Sequence, residues 1–259
     1  MKYKKLADLV RMNKENAVAE SFLNDLQYTI QHENKRRVTT RAYKPSGLSG
    51  CERALYYEMS GAVPDEMVDS IELIGICESG TNRHLDIQDY IMLMRRNNID
   101  CEWLNVGKYI NSQEDSICKV IEQNGNETKL YCEKYNMRFM CDGLVRYKGK
   151  LYIIEIKTES SFKFNNHLAP HQAHTIQATC YSMCIGVPRV IFIYENRDTC
   201  NKKAYLYEVP KSMIEQVEHK IDYINKCVKD NILPARDVEK CVYCKYKCQC
   251  TTDEGEMSL

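Results

Sequence analysis

The stretch Met137-Arg-Phe-Met-Cys-Asp-Gly-Leu-Val-Arg-Tyr-Lys-Gly-Lys-Leu-Tyr-Ile-Ile-Glu-Ile-Lys157 decides the fold. Lys148-Gly149 is a turn signal between two arms, Met137–Tyr147 and Leu151–Lys157, so the segment predicts a β-hairpin. Leu151-Tyr152-Ile153-Ile154 is a continuous apolar run, the pattern of a central strand covered on both faces. Two residues apart on that strand, Glu155 and Lys157 share one face, and Asp142 stands on the other arm. A carboxylate and an ammonium inside an apolar strand are costly unless paired or metal-bound. On an edge strand the same residues would form a solvent-facing ion pair.

Two carboxylates converging from neighbouring strands make a hard, oxygen-rich site suited to Mg²⁺ or Mn²⁺. Such an ion polarises a phosphoryl oxygen and activates water, and Lys157 is placed to orient that water or stabilise the developing charge. Upstream, Gly80-Thr-Asn-Arg-His84 falls on a predicted helix. An imidazole ligand from His84 would tilt the site toward Mn²⁺. Downstream, His174, Gln177 and Tyr181 stand at i, i+3 and i+7 and so share one stripe of a helix predicted over 171–186. Solvent exposure would explain the same stripe.

Outward from this centre the chain reads as alternating helices and strands. Residues 3–31 are predicted helical, with Leu6, Leu9, Val10, Phe22, Leu23 and Leu26 near one face, and a basic run Lys35-Arg36-Arg37 follows. A short helix is expected from Cys51 to Met59, closed at Ser60-Gly61, and one or two longer helices over 66–97. Residues 116–133 predict a hairpin around Asn124-Gly125-Asn126. Strands are expected at Val190–Tyr194 and Ala204–Val209, then a helix over 211–230 with Met213, Ile214, Val217, Ile221, Ile224 and Val228 at helical spacing. The expected organisation is a helical, basic region at 1–44, a core at 45–235, a cysteine-rich segment at 236–250 and a disordered tail at 251–259.

The 259 residues suffice to bury a sizeable core, and 44% hydrophobic with 28% charged residues is ordinary for a globular chain. With 36 basic and 36 acidic side chains, bulk charge cannot hold a polyanion, so any nucleic-acid contact needs a local patch. The start, MKYKKLADLVRMNKEN, has no apolar run of the signal-peptide kind, and no long apolar stretch predicts a membrane helix.

Fourteen cysteines are the anomaly. Without a secretory signal they point to a reducing compartment, where clustered cysteines read as metal ligands and scattered ones as buried thiols. The run Cys241-x2-Cys244-x3-Cys248-x-Cys250 is such a cluster. All four can serve a zinc knuckle, although Cys248-x-Cys250 is a cramped pair for tetrahedral zinc. Alternatively Cys241, Cys244 and Cys250 are joined by a distant ligand. Cys51 is the candidate, because its Gly-rich approach Pro45-Ser-Gly-Leu-Ser-Gly exposes backbone N–H groups able to hydrogen-bond cluster sulfurs. Cys77, Cys101, Cys118, Cys132, Cys141, Cys180, Cys184, Cys200 and Cys227 lack ligand spacing. His167, His171 and His174 form a histidine-rich run, a further candidate for zinc.

The ordered set Gly80-x3-His84, Asp142, Glu155-x-Lys157, Gln177-x3-Tyr181 resembles the RecB-type branch of the PD-(D/E)XK nuclease superfamily. The late Cys-x2-Cys-x5-Cys with one early cysteine resembles its iron–sulfur exonucleases, including the CRISPR-associated Cas-four family and the AddB nuclease domain. The resemblance spans about residues 45–250 and implies a restriction-endonuclease-like α/β fold: a mixed sheet flanked by helices, with an N-terminal helical region and a C-terminal cysteine clasp. It implies metal-dependent hydrolysis of DNA, as an exonuclease or end-processing nuclease. His84, Asp142, Glu155 and the backbone carbonyl of Ile156 would hold Mg²⁺ or Mn²⁺, Lys157 would be the catalytic lysine, and Gln177 and Tyr181 would line the site. Cys51, Cys241, Cys244 and Cys250 would hold a [4Fe–4S] cluster, with Cys248 able to substitute for Cys250. The superfamily's proline is Cys141 here.

Single strands or ends of DNA are the implied partner. Lys35, Arg36, Arg37, Arg41, Lys44 and Arg53 are candidates to track phosphates, Tyr56, Tyr57 and Tyr181 to stack on bases, and His174 to contact DNA. The implied setting is the cytoplasm of a prokaryotic or phage-infected cell, with protein partners of adaptation or recombination and room for an oligomer. Two other functions fit the same residues: a DNA-end binding adaptor within such a complex, and a zinc-stapled DNA-binding protein without nuclease activity.

Overall fold

The computed structural model describes residues 6–34, 40–65, 69–124 and 127–257. The expected basic run Lys35-Arg36-Arg37 and the turn residues Gly125-Asn126 lie outside these. The chain forms two compact units, the smaller from residues 1–38 and 67–79, the larger from 39–66 and 80–259. Residues 236–250 are thus part of the larger unit. In the smaller unit α1 (Leu6–Glu33) presents Phe22, Leu23 and Leu26 to solvent, and Asn34 after it donates to Asp69 at 3.1 Å.

The larger unit is built on a mixed sheet of order β1-β5-β6-β7-β8. Its strands are β1 (Cys101–Leu104), β5 (Gly143–Tyr147), β6 (Lys150–Glu159), β7 (Arg189–Asn196) and β8 (Lys202–Glu208). Every neighbour is antiparallel except the pair β6–β7. That parallel pair needs a crossover, which α5 (Ser161–Asn166) and α6 (Gln172–Ile185) supply. A second, antiparallel sheet of order β2-β3-β4 comprises Cys118–Asn124, Glu127–Cys132 and Met137–Phe139.

The central position of β6 explains its unbroken apolar run. Ile153 packs with Val190, Phe192 and Tyr194 against α6, the second sheet and α7 (Lys211–Asp230), which buries Val217, Ile221 and Ile224. Ile154 and Ile156 point the other way, onto Ile87 and Ile91 of α3 (Ile71–Leu93). Helices on both faces of a mixed sheet make this the α/β core expected from the sequence. Gly186 closes α6 in the left-handed conformation, φ 79°, which glycine adopts without steric cost.

Two expectations are corrected. The arm Met137–Tyr147 is not one strand: Met137–Phe139 belongs to the second sheet, Gly143–Tyr147 to the main one, and residues 140–142 break between them. Gly143 permits the re-entry, since a β-carbon there would lie 2.3 Å from the Trp103 ring. The tail expected to be disordered continues as α8 (Lys247–Met257). Among the described residues, no helix is long and apolar enough to cross a membrane.

Candidate active site

The break before β5 positions Asp142. Freed from the ladder, its carboxylate folds back so that Oδ2 accepts from the main-chain N–H of Ile156 at 2.6 Å, while its carbonyl accepts from Gln88 Nε2 at 2.8 Å. Its Oδ1 lies 3.3 Å from His84 Nδ1 on α3. Thus His84, Asp142 and the main-chain N–H of Ile156 meet.

Glu155 is 1% exposed on the central strand, which excludes the edge-strand reading. Its Oε1 is 2.6 Å from Lys157 Nζ, while its buried Oε2 has no hydrogen-bond partner. Burial first, then the charge of Asp142, pushes its pKa up to about 7 against the opposing pull of Lys157. His84 is also raised: burial opposes its charge, but the hydrogen bond and charge of Asp142 outweigh it.

The stripe on α6 faces inward. Lys157 Nζ donates to Gln177 Oε1 at 3.1 Å, and Gln177 Nε2 donates to the Tyr181 hydroxyl at 2.7 Å. Burial, with the charges of Glu155 and Asp142, holds the Tyr181 phenol well above its ordinary pKa. His174 turns instead to the Tyr194 hydroxyl, 2.8 Å away, and burial together with Lys157 lowers its pKa to about 3. Asp142 thus meets His84 and the Ile156 amide, and Glu155 meets Lys157, on one stretch of β6, while among the described residues His84, Asp142 and Glu155 do not bring three ligand atoms within 4.8 Å of one another.

Divalent-ion chemistry fits this donor set. Asp142 Oδ1, the orphaned Glu155 Oε2 and the His84 ring are hard or borderline donors, and a cation would give the buried Oε2 of Glu155 the partner it lacks. One anchor was not legible in sequence. Arg83 grips the buried Glu195 of β7 through Nε at 2.7 Å and Nη2 at 3.0 Å, fixing the helical turn that carries His84. Its partner is 112 residues away, so no local pattern announces it.

The cysteines assemble elsewhere in the larger unit. Cys51, which precedes α2 (Glu52–Ser60), lines one cavity with Cys241, Cys244 and Cys250, amid Arg53, Arg236, Lys240 and Lys247. Cys51 Sγ accepts from the N–H of Asp237 at 3.4 Å, and Cys241 Sγ accepts from Arg236 Nε at 3.3 Å. Cys248 is exposed and does not line the cavity; its main-chain N–H donates to Asp65 at 2.8 Å. Among the described residues, no three of the four cavity sulfurs lie within 4.8 Å of one another. Of the remaining cysteines, Cys77 and Cys200 are exposed and the others buried, three of which, Cys118, Cys132 and Cys184, converge in the core.

The expected DNA contacts divide. Arg53 is 6% exposed and bonds to the Pro234 carbonyl at 2.8 Å and to Cys250 Sγ at 3.6 Å, so it faces the cysteines and not solvent. Tyr57 is 2% exposed, packs on Tyr246 and donates to Asp253; Tyr56 is buried beside it, donating to Asn231. Neither ring is free to stack on a base. Helix α2 sits between the cavity and α7, and its inward face takes these residues, a choice the sequence does not reveal. Lys44 pairs with Glu58 at 3.5 Å, and Arg41 is exposed.

No protein-family model matches the chain, and no curated protein matches it. Among solved structures, the chain overlaps SSO0001 with a TM-score of 0.44 at 17% identity, covering 91% of this chain and 97% of that one. It overlaps the alkaline exonuclease LHK-Exo of Laribacter hongkongensis with a TM-score of 0.47 at 11% identity, covering 75% and 91%. The dAMP complex of LHK-Exo overlaps at the same TM-score and identity, covering 74% and 90%. Overlaps this loose say nothing about the chain's chemistry.

Proposed function

We propose that the protein is a metal-dependent DNA nuclease, acting as an exonuclease or on DNA ends, with a [4Fe–4S] cluster as a structural clasp. The observation that carries the first half is the buried Glu155 with its unpartnered Oε2 beside Asp142 and Lys157. A buried carboxylate oxygen usually finds a hydrogen-bond partner, and this one lies beside a second carboxylate instead. Bound Mg²⁺ or Mn²⁺, held by His84, Asp142, Glu155 and the Ile156 carbonyl, would supply Lewis-acid polarisation of the phosphodiester. Lys157, held by Glu155 and Gln177, presents its ammonium where charge develops on the phosphorus oxygens. Gln177 and Tyr181 fix that lysine from α6. Arg41 is left as a solvent-facing cation for the phosphate chain.

The late Cys-x2-Cys-x5-Cys spacing, with Cys51 brought to the same cavity, supports a cluster over zinc. The surrounding Arg53, Arg236, Lys240 and Lys247 suit an anionic iron–sulfur group, and Cys250 is the fourth ligand in place of Cys248.

The test is anaerobically purified full-length protein with Mn²⁺ and end-labelled single-stranded DNA. Wild type shortens the strand and Glu155→Ala or Lys157→Ala does not. If wild type binds ends without cutting them, the nuclease reading is wrong and an adaptor role replaces it. A colourless preparation containing zinc and no iron overturns the clasp.

A further inference from the structure

Beyond the acidic site, β6 ends in a second carboxylate on the same face. Glu159 is four residues past Glu155 and 6% exposed. His167 is 8% exposed, and His171 stands just before α6, where its side chain makes no capping hydrogen bond. The His167 Nδ1 to His171 Nε2 distance is 3.0 Å, His171 Nε2 to Glu159 Oε1 is 3.0 Å, and His167 Nδ1 to Glu159 Oε2 is 3.1 Å.

Hydrogen bonding does not account for this triangle. Each neutral imidazole carries one N–H, and a proton shared between the two facing ring nitrogens leaves at most one other for Glu159. Glu159 Oε2 is buried and accepts no hydrogen bond, although a ring nitrogen lies 3.1 Å away. Three lone-pair donors facing one point need a cation there. Ligand atoms on tetrahedral zinc, at about 2.0–2.1 Å from the metal, are about 3.3 Å apart, close to the observed spacing.

We propose that Glu159, His167 and His171 form a zinc site of the two-histidine, one-carboxylate kind. Its fourth position opens to solvent on the side of the half-exposed His171. The His167 ring is wedged against Tyr194, with ring centroids 4.5 Å apart, and Tyr205, at 5.8 Å, so packing fixes its orientation. The site is about 13 Å along the strand from Glu155. That is too far for a phosphate to be shared between two ions, which stand about 4 Å apart in two-metal sites. Its role is to tie the start of α6, which bears Gln177 and Tyr181, to the end of β6, which bears Glu155 and Lys157.

Full-length protein is equilibrated with Zn²⁺, freed of loose metal, and its zinc counted by mass spectrometry and examined at the zinc X-ray absorption edge. Wild type retains one more zinc per chain than His171→Ala, Glu208→Gln, at an exposed carboxylate of β8, retains the same as wild type, and the edge shows nitrogen and oxygen neighbours with imidazole features. Equal zinc in wild type and His171→Ala, the same loss in Glu208→Gln, or an edge with sulfur neighbours alone each overturn the site. Iron content and circular dichroism check that His171→Ala is folded. If it is not, the wild-type absorption edge decides alone.

Discussion

The acidic site and the cysteine cavity are built in opposite ways. Asp142, Glu155 and Lys157 lie within one hairpin, and its paired strands bring them together with little chain between. Cys51 and Cys241 are separated by about 190 residues and meet only when α2 packs on the C-terminal segment. The first site is unfavourable by itself, since one oxygen of the buried Glu155 carboxylate has no hydrogen-bond partner and a second carboxylate stands nearby. The second is unfavourable to assemble, since a long loop must close. One stores an electrostatic demand for a cation, and the other a topological demand for a cross-link.

The largest effect that breaks this contrast is on chemistry. Glu155→Ala takes nuclease activity below detection, and Lys157→Ala lowers it by roughly 10²–10³-fold, the usual loss for one charge-stabilising group, while Cys250→Ser leaves residual cutting in whatever fraction stays folded. Rates on labelled DNA under Mn²⁺ check this. The next is on stability. With the proposed clasp in place, Cys250→Ser loses iron and costs on the order of 5 kcal/mol in urea unfolding, the scale expected for closing a loop of this length. Cys248→Ser, outside the cavity, keeps both iron and stability.

A third effect isolates the electrostatic demand. In metal-free protein Glu155 has a folded pKa of about 7 against 4.5 unfolded. The folded state then holds the extra proton, so stability falls as pH rises from 4.5 to 7 and stays lower above that. Urea melts in chelator at pH 5 and pH 8 show this loss, and Glu155→Gln abolishes it. Smaller still, Arg83→Ala costs about 1–3 kcal/mol, because among the described residues Glu195 then keeps Lys202 alone as an ion-pair partner, at 2.7 Å, and it weakens the proposed Mn²⁺ binding through His84. Smallest is Tyr181→Phe, which removes one hydrogen bond to Gln177 and costs about 1 kcal/mol.

Much of the acidic site was legible because period two on a strand is a local rule. Glu155 and Lys157 had to share a face wherever the strand went. The stripe of Gln177 and Tyr181 followed from helical spacing in the same way, but that it faces Lys157 did not. The break at 140–142 was not legible, since Met137–Tyr147 has the composition of one continuous strand. It matters, because only a residue outside the ladder can turn its carboxylate onto the Ile156 amide. Arg53 and Tyr57 were misplaced for a related reason: a short amphipathic helix shows its faces in sequence, but not which one packs inward.

By itself, then, the sequence determined the alternation of elements, the central strand and the residue types available for chemistry, because these depend on neighbours a few positions away. Tertiary structure alone joined Arg83 to Glu195 and set Glu159 against His167 and His171, and it lines the cavity with Cys250, the ligand the resemblance named first, while leaving Cys248 outside. Those choices depend on which surfaces meet after the chain has closed loops of tens to hundreds of residues, and no local periodicity encodes that meeting.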